Sequence, residues 1–126
     1  MRILCCGSRG WTDRDLIYWE LFHAAEWPDP VEVIHGGARG ADQISGEMAT
    51  HIGMPVQVFP ADWETHGKAA GPIRNREMLD QLEPGDLVLA FWDGRSRGTL
   101  DTIHETLSRM FTQQLTLRVF RAPETS

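Results

Sequence analysis

The chain of 126 residues, 41% hydrophobic and 24% charged, is ordinary globular material for one domain over residues 1–126, burying roughly two-thirds of the surface its unfolded chain exposes. No apolar stretch approaches the ~18 residues of a membrane span, and the start, Met1-Arg2-Ile3-Leu4-Cys5-Cys6, reaches glycine too soon for a secretory leader, so a cytosolic setting without a membrane is expected. A formal net charge of -6 argues against a general nucleic-acid binder, which normally carries a basic face.

Arg2 to Cys6 is short, apolar and closed by Gly7, as suits a first central strand. Cys5 and Cys6 then point to opposite faces, cannot staple distant segments, and read as small core residues. After the turn Gly7-Ser8-Arg9-Gly10 and Trp11, Thr12 is placed to cap a helix through about Glu26. Leu16, Ile17, Trp19, Leu21 and Phe22 supply apolar residues for its buried side. Pro28 and Pro30 close this unit.

Val31 to His35 has the β-branched signature of a buried strand, and a helix follows from about Ala41 to Ile52, with Ile44, Met48 and Ile52 recurring every four residues. Gly53 suits its C-terminal cap. Between them His35-Gly36-Gly37-Ala38-Arg39-Gly40-Ala41-Asp42 has the form of a mount for an anion: glycines permit close backbone approach, and an oxyanion could rest on the N–H groups where the helix begins, with Arg39 beside it. Val56 to Phe59 makes a third short strand between Pro55 and Pro60.

From Ala61 to Ala70 the periodicity breaks, which at this length marks a functional or mobile loop. A helix then starts at Gly71-Pro72-Ile73-Arg74-Asn75-Arg76, with Pro72 suited to its first position. Arg74 and Arg76 in its first turns oppose the helix dipole by ~0.3–1 kcal/mol per charge unless an anion joins them. Asp86 to Trp92 is the most continuous apolar run and so the best candidate for a strand buried on both faces. The turn Asp93-Gly94-Arg95-Ser96-Arg97-Gly98-Thr99 leads to a helix from about Leu100 to Phe111, Leu115 to Phe120 forms a last strand, and Ala122 to Ser126 reads as a frayed tail.

Strands alternating with helices predict an α/β fold: a three-layer Rossmann-like sandwich on a five-stranded parallel sheet. Right-handed crossovers put every strand-to-helix turn on one edge of that sheet. In the order 3-2-1-4-5 the switch point lies between strands one and four, flanked by Gly7–Gly10 and by Asp93–Thr99. Seven of the twelve Lys and Arg residues (Arg9, Arg39, Lys68, Arg74, Arg76, Arg95 and Arg97) fall in or just after the glycine-bearing connections. An acidic protein with its positive charge gathered in a cleft focuses its field on a small anion. The expected ligand site therefore takes Gly7, Ser8, Arg9, Gly36, Gly37, Arg39, Gly40, Asp42, Lys68, Arg76, Gly94, Arg97, Gly98 and Thr99, with Arg74 and Arg76 as a phosphate clamp. Trp11, Trp63 or Trp92 could stack on a base.

Neither GxxxxGK[ST] nor GxGxxG is present, so an ordinary ATPase or NAD enzyme is not supported and no cofactor is expected. The histidines His23, His35, His51, His66 and His104 show no metal-ligand spacing, and only His35 and His66 fall near the expected cleft.

CGSRGWTDRD after the first strand, HGGARGAD after the second, FPADWETHGKAAGPIRNREM across the third connection and RGT in the fourth together resemble the YspA/YpsA-related branch of the SLOG superfamily, over nearly the whole chain. The resemblance implies a Rossmann-like fold and a nucleotide or nucleotide-derived signalling ligand. It also brings in the lonely-guy phosphoribohydrolases and the DprA/Smf proteins, so the fold alone does not choose an activity. Lonely-guy enzymes carry a MxxRK-type helix before a PGGxGTxxE loop. Arg74 resembles their functional arginine, and Gly98-Thr99 match their GT. Their glutamate position is Thr102 here, while Asp101 lies one residue earlier, turned by ~100° on a helix. Asp101 and Arg74 are thus the catalytic candidates if the protein is an N-glycosidic or phosphoribosyl hydrolase. Asp101 serves equally as a first-turn helix acid. A stand-alone nucleotide binder is the leading expectation, a nucleoside monophosphate hydrolase the alternative, and DprA-like binding of single-stranded DNA the third. The superfamily also admits a homodimer.

Overall fold

Five strands pair in one all-parallel sheet of order β3-β2-β1-β4-β5: β1 (Arg2–Gly7), β2 (Glu32–His35), β3 (Val56–Val58), β4 (Leu87–Trp92) and β5 (Thr116–Arg121). The computed structural model describes residues 1–122. The expected tail lies, beyond Ala122, outside them. Helices α1 (Arg14–Ala24) and α2 (Ala41–Ile52) cover one face of the sheet, and α4 (Ala70–Asp80) and α5 (Arg97–Gln113) the other, with the short α3 (Trp63–His66) before α4. The class, the sheet order and the three layers match the expectation.

Alternation along β1 shows why both faces must be covered. Ile3 and Cys5 join Ile17, Leu21, Val33, Ile44, Leu89 and Phe91 in one core. Leu4 and Cys6 join Ile34, Met78, Leu79, Val88, Ala90 and Ile103 in the other. Both cysteines are buried and unpaired, as small core residues. Burial pushes the Cys5 thiol up to about 12, so it stays protonated. β4 is enclosed from Val88 to Phe91, consistent with its unbroken apolar run. In-register pairing of Leu4 with Val88 and of Gly7 with Phe91 brings the C-terminal ends of β1 and β4 level, which sets the two turns after them side by side.

Several boundaries differ from expectation, each for a local reason. The N-cap of α1 is Asp13, not Thr12: its Oδ1 accepts from the Leu16 amide at 3.1 Å, and the helix ends at Ala24, short of Glu26. Trp19 and Phe22 are exposed rather than buried, because Ile17 and Leu21 already fill the sheet-facing stripe. The second strand begins at Glu32 rather than Val31, and the third stops at Val58. The stretch expected as a loop folds into α3, capped by Asp62, and a 3-10 turn at Gly67–Ala69 that runs into α4. Pro72 therefore occupies the third position of α4, not the first, still within the turn where its missing N–H costs nothing. α5 starts at Arg97, since Ser96 Oγ caps the Thr99 amide, and this moves Gly98 and Thr99 from a loop into a helix.

Candidate functional site

A cavity of about 580 Å³ opens at the C-terminal edge of the sheet, over the β1/β4 switch point, between the turns after β1 and β4 and the start of α4. It is lined by Gly7, Arg9, Asp42, Lys68, Arg74, Arg97, Gly98, Thr99 and Asp101 of the expected residues. Its volume lies in the usual range for small-ligand sites.

The two walls at the switch point are tied together through Ser8. Its amide donates to Phe91 O at 2.9 Å, its hydroxyl accepts from the Asp93 amide at 2.9 Å, and its carbonyl accepts from the Ala41 amide at 3.2 Å. Ser8 is thus buried scaffold for three elements rather than part of the cavity wall. Asp93, which sequence reasoning passed over, folds the turn after β4. Its Oδ1 accepts from the Arg95 and Ser96 amides, which hold the carboxyl below the usual carboxylate range.

Where the backbone N–H groups go decides where an anion can rest. In the β2–α2 turn those of Gly36, Gly37 and Ala38 are already taken: Asp42 Oδ2 accepts from the Gly36 amide at 3.1 Å and the Ala38 amide at 3.2 Å, and His35 Nδ1 accepts from the Gly37 amide at 2.9 Å. The chain's own carboxylate occupies the place the glycine pattern suggested for a ligand. The amides of Arg9 and Gly10 after β1, and of Arg97 and Gly98 at the head of α5, have no partner among the described residues, and all four residues line the cavity. A helix N-terminus with open N–H groups attracts anions.

Gly40 and Gly36 are needed for different reasons. Gly40 has φ of 76° and a Cβ there would strike the carbonyls of Ser8 and Arg9, so only glycine lets α2 begin against the β1 turn. A Cβ on Gly36 would strike the guanidinium of Arg74. That guanidinium is fixed: Nη1 donates to Gly36 O at 2.8 Å and Nε to Asn75 Oδ1 at 3.0 Å. Nη2 has no partner among the described residues and Arg74 lines the cavity. Asn75 in turn donates from Nδ2 to Asp101 Oδ2 at 3.0 Å and to Gly98 O at 3.3 Å. One buried amide side chain therefore sets the arginine and the carboxylate together. Asn75 was not singled out from the sequence, although it falls on the buried stripe of Gly71, Asn75, Met78 and Leu79, where a polar residue signals a specific partner.

The remaining expected residues lie elsewhere. Arg76 is exposed on the outer side of α4, donating to Pro72 O and 3.5 Å from Glu105, so it does not join Arg74 at the cavity. Arg39 is exposed and outside the lining, and Gly37 and Gly94 shape their turns with positive φ. His35 faces a shallow groove with Gln43, Glu47 and His51, behind the β2–α2 turn, and His66 is exposed outside the cavity. Of the three tryptophans, Trp11 is buried against Phe91 with Nε1 donating to Asp13 O, and Trp92 Nε1 donates to Ser96 O. Only Trp63, 55% exposed, lines the cavity. Thr102, in the position of the lonely-guy glutamate, donates its hydroxyl to Gly98 O at 3.3 Å. Among the described residues no group of three His, Cys, Asp or Glu side chains is arranged to hold a metal ion, and no helix is long and apolar enough to cross a membrane.

A five-stranded parallel sheet of order 3-2-1-4-5 with helices on both faces and a cavity over its switch point defines a Rossmann-like domain. The chain belongs to the YspA, cpYpsA-related SLOG family, whose model matches residues 1–66. It is similar to the Gene 61 protein of Mycobacterium phage D29, 40% identical over 112 residues that cover 82% of this chain and 86% of that protein. No solved structure matches it. The family match takes in the turns after β1 and β2, while Arg74, Asn75 and the β4–α5 turn lie beyond it.

Proposed function

We propose that the protein binds the phosphate end of a nucleotide-derived ligand in the cavity at the β1/β4 switch point. The observation that carries this reading is the set of four unpartnered amides, Arg9, Gly10, Arg97 and Gly98, lining one cavity together with the side chains of Arg9, Lys68, Arg74 and Arg97. SLOG proteins generally bind nucleotide-derived ligands, which supports the ligand class. Arg–phosphate hydrogen bonds contribute ~1.5–3 kcal/mol each, and the planar guanidinium fork suits the task. Trp63 is placed to stack on a base. The test is a thermal-shift screen of nucleotides, cyclic nucleotides and ADP-ribose derivatives, with chromatography of each hit. Stabilisation by phosphate-bearing compounds, absent with the matching nucleosides, is expected; stabilisation by nucleosides alone contradicts the reading.

One observation favours a hydrolytic alternative: Asp101 lines the same cavity and is held by Asn75, which also holds Arg74. A carboxylate so placed could stabilise an oxocarbenium-like sugar while a base departs. This reading predicts base release from nucleoside monophosphates that is lost in Asp101→Asn; unchanged turnover in that variant removes Asp101 from the mechanism.

A further inference from the structure

Asp42 at the head of α2 uses one carboxylate oxygen and leaves the other open. Oδ2 accepts both the Gly36 and Ala38 amides, whereas Oδ1 has no protein partner among the described residues. The side chain is only 4% exposed. Since no side-chain polar atom among the described residues is both buried and unpartnered, Oδ1 reaches the cavity that Asp42 lines. The turn itself needs one acceptor atom and no charge. A buried carboxylate with a spare oxygen therefore exceeds what holding the turn requires, and burial of the charge is unfavourable in itself.

Its position says what the spare oxygen meets. The Ala41 amide donates to Ser8 O at 3.2 Å, and Gly7 lies so close to Ala41 that a Cβ would strike it. The head of α2 thus abuts the turn whose Arg9 and Gly10 amides form half of the anion site. In a nucleotide anchored there by its phosphate, the hydrogen-bond donors nearest the phosphate are the sugar hydroxyls, with base donors a further ring away. A bare phosphate oxygen against Asp42 would be repelled, while a hydroxyl donates to it.

We propose that Asp42 Oδ1 is the acceptor for the ribose hydroxyls of the ligand, making this a ribonucleotide-selective subsite. The inference rests on the phosphate reading above. It assigns orientation as well: phosphate toward the β1 and β4 turns, sugar over the head of α2.

Asp42→Asn separates this role from the structural one. The asparagine carbonyl in the place of Oδ2 keeps both amide bonds, and its NH2 presents a donor to the cavity in place of an acceptor. The four common ribonucleoside 5′-monophosphates, their 2′,3′-dideoxy counterparts and inorganic phosphate are titrated into the wild type and the variant. The wild type is expected to bind at least one ribonucleotide about tenfold or more tightly than its dideoxy form, the range of a hydrogen bond to a charged group. In Asp42→Asn that ratio falls toward one while inorganic phosphate binds at least as tightly as to the wild type, a negative charge having been removed from the cavity. A ratio retained in the variant, or a ratio of one in the wild type, overturns the subsite and leaves the phosphate reading standing. Failure of every nucleotide and of phosphate to bind the wild type overturns both. Protection of the Gly36 and Ala38 amides from hydrogen exchange reports whether the variant keeps its turn; should it open, the wild-type ratio alone decides.

Discussion

Asn75 Nδ2 donates to Asp101 Oδ2 at 3.0 Å, joining a helix on one wall of the cavity to the second turn of the helix on the other, since the start of α5 at Arg97 moves Asp101 out of the first turn expected for it. Through its own carbonyl, Asn75 also fixes Arg74, whose guanidinium reaches on to Gly36 O. Three strand-to-helix connections are thereby held in one chain of hydrogen bonds. Such a chain acts as a unit, and removal of its middle member takes the partner from Arg74 Nε and from Asp101 Oδ2 while the Arg74 bond to Gly36 O remains.

Asn75→Ala is expected to lower stability by about 1–3 kcal/mol, the cost of leaving buried polar groups without their hydrogen-bond partner, and to weaken nucleotide binding about as much as Arg74→Ala does. Chemical denaturation and titration of both variants check this. Equal binding by wild type and Asn75→Ala would show that Asn75 has no part in positioning the arginine.

Glycine substitutions should sort by what their Cβ meets. Gly40→Ala, at φ of 76° and against two carbonyls, is expected to destabilise the fold strongly. Gly98 lies in the first turn of α5 with open space around it, so Gly98→Ala raises helix propensity by roughly 0.5–1 kcal/mol. The same methyl crowds a phosphate on the Gly98 amide, so stability and affinity move in opposite directions. Thermal melts with and without nucleotide read both.

Stability should depend on pH through the β2–α2 turn. Burial raises the Asp42 carboxyl from 3.8 to about 6, against the lowering by its amide partners and Arg74. Between pH ~4 and 6 the native state therefore binds a proton the unfolded state has released, so Asp42 makes stability fall as pH rises through that window, by roughly 3 kcal/mol in all. His35 acts in the opposite sense. Burial, with Arg74 nearby, lowers it from 6.5, so its contribution is present above pH 6.5 and is lost as pH falls toward its folded value. Asp42→Asn is expected to be at least as stable as the wild type at pH 7 and to show only the rise with pH due to His35. Urea denaturation between pH 4 and 8 checks the slope; a variant less stable than wild type at pH 7 contradicts it.

Trp63→Ala should leave the melting temperature unchanged, since the indole is 55% exposed. Base–aromatic stacking contributes ~1–3 kcal/mol, so nucleotide affinity is expected to fall by about tenfold or more while inorganic phosphate binds as before. An equal loss for both ligands would mean that Trp63 shapes the cavity rather than stacking.

The strands and their alternation with helices were legible because each strand ends in a glycine or proline turn and Asp86–Trp92 is apolar without a break, whereas the order 3-2-1-4-5 entered as a condition that the sheet then met. The cavity was legible in the same way, since right-handed crossovers bring those turns to one edge. What was not legible was which polar groups are already spent. The pattern Gly36-Gly37-Ala38 advertises open amides, yet Asp42, expected as a ligand residue, closes on those of Gly36 and Ala38, and His35 on that of Gly37. Likewise Ser96 caps α5 one turn earlier than its apolar periodicity indicates, which converts Gly98 from a loop residue to one with an open helix-terminal amide. Arg74 and Arg76 look alike in sequence, but two positions on a helix turn them ~200° apart, and only Arg74 faces the cavity.

The central claim is that a phosphate rests on the amides at the β1/β4 switch point, and amide chemical shifts of labelled protein titrated with nucleoside 5′-monophosphates test it most directly. The predicted result is saturable shifts that are largest at Arg9, Gly10, Arg97 and Gly98, with smaller shifts at the amides of Gly36 and Ala38, which stay bonded to Asp42. Shifts centred on Gly36 to Arg39, with the four switch-point amides unmoved, would contradict it.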